Sequence, residues 1–147
     1  MGLFDKLLGK TDEVKSYYSR DGTLVNYEDL LKQLYATKKR VDIHFSYYNL
    51  IEQTYNHREE PEARALFKKL ALEHIEKFGS IRAPLLKKCY GKLPHVPTFQ
   101  YLATVYTEDG EYDKAVEVCE KAIAFGLHDW TKGDYQARIE RIKKKMQ

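Results

Sequence analysis

Residues 96–129 decide the fold of this chain, and they read VPTFQYLATVYTEDGEYDKAVEVCEKAIAFGLHD. The first half places apolar side chains three or four residues apart, at Phe99, Leu102, Ala103 and Tyr106. The second half repeats that spacing at Ala115, Cys119, Ala122 and Ile123. Such spacing is typical of amphipathic helices, and Gly110 between the halves is a turn signal. The stretch therefore predicts two antiparallel helices joined by a tight turn.

These residues resemble a tetratricopeptide repeat, a helix–turn–helix unit of about 34 residues. Phe99 stands at the family's large-residue position, Leu102 and Ala103 at its Leu–Gly/Ala pair, and Gly110 at its turn. Leu127 replaces a proline that is common in the family. The resemblance implies an all-α fold, namely a short right-handed stack of antiparallel helix hairpins closed by a C-terminal capping helix.

Helical periodicity continues upstream of the repeat, so that residues 26–147 are predicted to form one helical domain. Residues 45–71 resemble 96–122 weakly and predict a degenerate first hairpin. Pro61 suits the first turn of a helix that Gly79 is expected to cap. A separate, shorter helix is expected from about residue 80 to residue 90, ending at Gly91. The chain then holds six or seven helices in all.

The ends of the first and last helices of this domain carry charged or capping residues. Asn26 is expected to cap the first helix, and Lys38, Lys39 and Arg40 are expected at its C-terminal end, where the helix dipole favours cations. The last helix is predicted over residues 132–147, with an apolar stripe at Tyr135, Ile139, Ile142 and Met146. Trp130 is expected to fill the seam between this capping helix and the repeat.

Residues 1–25 form a separate N-terminal region, an amphipathic helix followed by a linker. Leu3, Phe4, Leu7 and Leu8 share one face of residues 1–10, and that face is expected to dock on the protein, on a second copy or on a membrane. A homodimer is thus left open. In the linker, Tyr17 and Tyr18 permit a short helix, and residues 23–25 permit an extended connection.

Length and composition limit the class of protein. The chain has 147 residues, of which 43% are hydrophobic and 32% charged, enough for one packed core without disulfides. Its two cysteines, Cys89 and Cys119, fit reduced thiols. The sequence shows neither an apolar run of about 20 residues nor a secretory leader. These features predict a cytoplasmic protein without a transmembrane segment.

The resemblance implies a non-catalytic adaptor that holds a peptide or helix of another protein in a concave groove. The first helix of each hairpin lines that groove in the family. The residues expected there are Pro97, Gln100, Tyr101, Thr104, Thr107 and Glu108. For Tyr101 the alternative is a position in the core or at its edge, and for each of the others it is a solvated helix surface. The carboxylate-clamp members carry Lys, Arg or Asn where this chain has Gln100 and Thr104, so the sequence disfavours that activity.

Binding of nucleic acid or another polyanion is the alternative function. Residues 131–147 carry six Lys or Arg against Asp134 and Glu140, a net charge of +4, whereas the whole chain carries +3. The candidate phosphate contacts are Arg138, Arg141, Lys143, Lys144 and Lys145. The sequence contains no base-reading motif, and cations near a helix C-terminus have a simpler explanation in the helix dipole. Nucleic acid is therefore the weaker hypothesis.

The sequence predicts no enzyme, no cofactor and no metal site. Its five histidines are scattered, and it has neither a metal-binding His or Cys spacing nor a glycine loop that would hold phosphate. Cys89 and His95 are the nearest cysteine and histidine in sequence, and an inert thiol is the favoured interpretation of Cys89. The expected catalytic set is empty.

Overall fold

The computed structural model describes residues 16–18 and 21–147. Six helices and two short strands lie in these residues: β1 Ser16–Tyr18, β2 Leu24–Asn26, α1 Glu28–Ala36, α2 Arg40–Asn56, α3 Pro61–Lys88, α4 Thr98–Glu108, α5 Tyr112–Ala124 and α6 Asp134–Lys145. The all-α class is confirmed, with one β-hairpin before the helices. The amphipathic helix predicted for residues 1–10 lies outside the described residues.

The chain divides into two compact units, Met1–His74 and Ile75–Gln147, and the boundary falls within α3. Unit 1 holds the hairpin, α1, α2 and the first half of α3. Unit 2 holds the second half of α3 together with α4, α5 and α6. None of the helices in the described residues is both long enough and apolar enough to cross a bilayer.

The β-hairpin replaces the short helix that the linker permitted at Tyr17 and Tyr18. Strand β1 pairs with β2 in antiparallel register, with Tyr17 opposite Val25. Gly22 in the connection has a φ of 84°, a left-handed conformation that favours glycine, and Asp21 Oδ1 accepts the Thr23 N–H at 2.9 Å. The extended connection predicted for residues 23–25 is confirmed within one residue.

Helix α1 begins where the sequence predicts, but its basic neighbours belong to the next helix. Asn26 Oδ1 accepts the Glu28 N–H at 2.8 Å, although Tyr27 is the residue that precedes the helix. Helix α1 ends at Ala36, and Lys39 precedes α2, which begins at Arg40. The placement predicted for Lys38, Lys39 and Arg40 is therefore wrong, because these cations lie at a helix N-terminus, where the dipole does not favour them.

Helix α3 is one helix of 28 residues, so the predicted cap at Gly79 and the separate helix after it are wrong. Glycine costs about 1 kcal/mol inside a helix. Ile81 and Leu85 continue the buried face of Phe78 beyond it, and burying each such side chain stabilises the fold by about 1.5–3 kcal/mol. Burial thus outweighs the glycine penalty. The helix ends near Gly91 as predicted, since the Gly91 N–H reaches Leu86 O at 2.7 Å with φ 86°.

The two helices predicted from residues 96–129 are confirmed as α4 and α5. Gly110 joins them with a φ of 76°, the left-handed conformation expected of the turn glycine. Phe99 packs edge to face against Phe78 and Phe125, with ring centroids 5.7 Å and 5.9 Å apart. These three rings are the aromatic centre of unit 2.

Helix α6 buries most of its predicted stripe. Tyr135, Ile139 and Ile142 are buried, whereas Met146 lies beyond the helix and is exposed. Trp130 does not fill a seam as predicted, because 74% of its surface is exposed. Helix α6 packs on α5. Two successive reversals of chain direction leave α4 and α6 running the same way.

Candidate functional site

A cleft of about 400 Å³ lies between α4 and α6 in unit 2. Its lining consists of Thr104, Thr107 and Glu108 on α4 and Arg138, Arg141, Ile142 and Lys145 on α6. The first three were predicted as groove residues and three of the other four as polyanion contacts. The structure therefore joins two residue sets that the sequence assigned to different functions.

The α4 wall of the cleft offers no hydroxyl donor to a ligand. Thr104 donates its hydroxyl to Gln100 O at 2.9 Å, and Thr107 donates to Ala103 O at 2.7 Å. Both hydroxyl hydrogens are therefore used within the helix. What remains on this wall is threonine methyl groups, acceptor oxygens and the exposed carboxylate of Glu108.

The α6 wall carries the positive charge. Arg138 is fixed, since its Nε donates to Asp129 Oδ2 at 2.9 Å, and only 16% of its side chain is exposed. Arg141 and Lys145 are exposed and form no ion pair with any residue that the structure describes. The buried Ile142 supplies an apolar surface between them. Two cations on this wall are thus available to a ligand.

Asp129 organises the loop that leads into α6. Its Oδ1 accepts the Thr131 N–H at 2.9 Å and the Thr131 hydroxyl at 2.7 Å. Burial alone would raise the pKa of Asp129, but the hydrogen bonds from Thr131 and Arg138 and the guanidinium charge lower it overall. Asp134 Oδ1 in turn accepts the Asp129 N–H at 2.7 Å. The charged Asp129 therefore holds both the loop and the Arg138 side of the cleft.

An aromatic pair of the exposed Trp130 and the half-buried His95 lies near the start of α4. The rings of Trp130 and His95 are 5.2 Å apart, and Trp130 has a left-handed φ of 61°. His95 Nε2 lies 3.2 Å from Gln100 Oε1. Gln100, Thr104 and Thr107 share one face of α4, since they are four and three residues apart. This pair, which we call the aromatic platform, contacts Gln100, a predicted groove residue that shares this face of α4 with the lining residues but does not itself line the cleft.

Several predicted site residues lie elsewhere. Pro97 is buried immediately before α4, and Tyr101 is half-buried outside the cleft lining. Lys143 and Lys144 are exposed on α6 but do not line the cleft. Sequence reasoning missed Ile142 as a lining residue and missed the aromatic platform. Periodicity marked Ile142 only as a core position, and nothing in the sequence signalled the pairing of Trp130 with His95.

A buried polar cluster in unit 1 was also missed. His44 Nδ1 lies 3.0 Å from His74 Nε2, and Tyr47 stacks on His74 at 5.1 Å. Burial lowers the pKa of His44 to about 4. It also lowers the pKa of His74, and the neighbouring His44 lowers it further. Both imidazoles are shielded from solvent, and the lowered pKa values keep them neutral near pH 7, so the pair belongs to the core.

The histidine pair predicts a loss of stability in mild acid. In the unfolded chain these histidines bind protons near pH 6.5. In the folded chain His44 binds a proton only near pH 4. Stability should therefore fall as the pH drops from 6.5 toward 4, by up to about 1.4 kcal/mol per pH unit for each histidine. Urea unfolding followed by circular dichroism across this range measures the slope.

Single variants identify the source of this slope. His44→Gln should reduce the slope by about half, because glutamine does not titrate and His74 remains. The same replacement at the exposed His57 is the control. An equal slope in the wild type and in His44→Gln would assign the pH dependence to other groups.

Both cysteines are free thiols, with Cys119 buried and Cys89 half-buried. Burial raises the pKa of Cys119 to about 11, so it stays a thiol at neutral pH. His95 contacts Trp130 and Gln100, and Cys89 is half-buried. No group of three or more His, Cys, Asp or Glu side chains within residues 16–18 and 21–147 is placed to hold a metal ion.

No known family model, curated protein or solved structure matches this chain. The helical class rests on the structure itself, and the resemblance to a tetratricopeptide repeat stays a prediction from residues 96–129. Any function must accordingly be argued from the cleft and its lining.

Proposed function

We propose that unit 2 is a non-catalytic protein-interaction module that docks a peptide or helix of another protein in the cleft between α4 and α6. The observation that carries the proposal is the joint lining of one cleft by Thr104 and Thr107 from α4 and by Arg141 and Lys145 from α6. In a tetratricopeptide-like stack, two such helices running in the same direction form the concave face. The protein would then serve as an adaptor in the cytoplasm.

The chemistry of the lining supports binding without catalysis. It combines cations, methyl groups, an isoleucine and one carboxylate, with no serine or cysteine beside a histidine. An apolar patch with a charged rim is the usual composition of a protein-binding surface. A ligand held here therefore meets contacts that fix its position.

The geometry of the cleft favours polyanion binding less than it favours the docking of a protein segment. Arg138 already neutralises Asp129, and Glu108 lines the α4 wall opposite the remaining cations. A phosphate chain that filled the cleft would meet this carboxylate as well as the cations, which disfavours a uniformly negative ligand. A protein segment with separate acidic and apolar side chains suits the lining better.

Filling the cleft should abolish partner binding. Thr104→Trp places a large ring between α4 and α6 without removing a core side chain, because Thr104 is only half-buried. A partner isolated with the wild-type protein, identified by mass spectrometry and purified, should bind the variant at least tenfold more weakly by calorimetry.

The control for this experiment is Glu120→Trp, a large replacement at an exposed position of α5 that does not line the cleft. Circular dichroism of each variant confirms that the helices persist. A purified partner that binds Thr104→Trp as tightly as the wild type would place the binding surface elsewhere.

A further inference from the structure

We propose that the ligand of the cleft is an extended acidic peptide that also carries an aromatic side chain, with its carboxylates on Arg141 and Lys145 and its ring on the aromatic platform of Trp130 and His95. The inference rests on the proposed function and specifies its ligand.

The charge of the cleft selects a ligand with carboxylates. Arg141 and Lys145 supply two cations, and neither forms an ion pair with an acidic residue in the part of the chain that the structure describes. The α4 wall has used its hydroxyl hydrogens internally, so hydrogen bonds to a ligand must come chiefly from these cations. Carboxylates accept such bonds well. Glu108 on the opposite wall then confines the acidic groups to the α6 side.

Trp130 provides an exposed aromatic surface on a loop that hydrogen bonds hold in place. It is 74% exposed, and the hydrogen bonds of Asp129 to Thr131 and Arg138 fix the loop that presents it. Gly133 completes this loop with a φ of 79°, where an added Cβ would lie 2.5 Å from Ala137 Cβ. A large ring held in advance of binding loses little entropy when a partner ring packs on it.

The spacing favours an extended segment. Gln100, which contacts the platform, and Glu108, at the far end of the cleft, are eight residues apart on one helix, a rise of about 12 Å. An extended peptide covers that length in roughly four residues.

Synthetic peptides test the proposal directly. The probe carries one phenylalanine, a spacer of three glycine or serine residues and then three glutamates. Trp130 is the only tryptophan in the chain, so its fluorescence reports binding without a label. The emission of the wild-type protein should change saturably with the probe. It should change much less when alanine replaces the phenylalanine or glutamine replaces the glutamates.

Matched variants assign each half of the ligand, with affinities measured by calorimetry. Arg141→Glu with Lys145→Glu should weaken binding about tenfold or more, whereas Lys143→Glu with Lys144→Glu makes the same charge change outside the cleft and should alter affinity less than about threefold. Trp130→Ala should lower the affinity for the phenylalanine probe about fivefold and should change the affinity for the alanine probe little. Tyr90 is another exposed aromatic residue with a left-handed backbone conformation, and Tyr90→Ala should leave the affinity unchanged.

The outcomes separate this inference from the proposed function. Equal loss in the two charge-reversal pairs, or stronger binding of a thymidine homopolymer than of the probe, would overturn the acidic-peptide ligand in favour of a general polyanion. Absence of any probe response would overturn it as well. If a purified natural partner still loses binding in Thr104→Trp, the docking function stands while its ligand is of another kind.

Discussion

Replacing Phe99 with alanine is expected to lower the free energy of unfolding by about 3–5 kcal/mol. Phe99 is fully buried and packs edge to face on both Phe78 and Phe125. Removal of its ring takes apolar surface out of the core and leaves a cavity that rigid helices cannot close. Such aromatic contacts add about 0.5–1.5 kcal/mol beyond the buried area.

Urea unfolding monitored by circular dichroism measures this loss. Phe45→Ala is the matched control, because Phe45 is 48% exposed, and it should cost well under half as much. A loss below about 1 kcal/mol for Phe99→Ala would mean that the three rings do not form the centre of unit 2.

Replacing Asp129 with asparagine is expected to cost about 2–4 kcal/mol. The carboxylate is buried, and it binds both the Arg138 guanidinium and the two donors of Thr131. Its loss leaves Arg138 with a largely buried charge that has no counterion. This loss of stability is smaller than for a fully buried ion pair because 16% of the Arg138 side chain remains exposed.

The same substitution should weaken binding in the cleft, because Asp129 fixes the loop that carries Trp130 and also holds Arg138 on the α6 wall. A double-mutant cycle with Arg138→Met measures the coupling, expected to be about 1–3 kcal/mol. Asp113→Asn changes the same charge at an exposed site and should cost about 0.5 kcal/mol. Additive effects of the Asp129 and Arg138 substitutions would show that the pair does not stabilise the loop.

The best-predicted parts of the fold are those with strong local signals. Apolar spacing and the turn at Gly110 predicted α4 and α5, and the stripe at Tyr135, Ile139 and Ile142 predicted the buried face of α6. Thr104, Thr107 and Glu108 came from their positions in the repeat pattern. The candidate ligand-binding cations of α6 were predicted only from the net positive charge of residues 131–147.

Local signals failed where packing outweighed them. Gly79 is a good helix terminator in isolation, but burial of Ile81 and Leu85 carries α3 through it. Lys38 to Arg40 lie at an electrostatically unfavourable helix start, because surface charges contribute little free energy compared with the core. Local propensity cannot weigh these contributions, since the partners are distant in sequence.

The site was predicted in pieces and not as a whole. No single helix contains both walls of the cleft, and the sequence did not indicate that α4 and α6 would be adjacent. The contact between His44 and His74 was not predicted either, because it depends on how α2 and α3 pack. Pairings of this kind are tertiary properties and leave no mark on either segment alone.

The backbone at Trp130 has a consequence for attempts to make this protein sturdier. A left-handed conformation costs about 1–2 kcal/mol for residues with a side chain, and glycine removes that cost. A screen for thermal tolerance would thus favour glycine at this position and would discard the indole in doing so. Resilience to heat and retention of the docking surface therefore impose opposite demands on one residue.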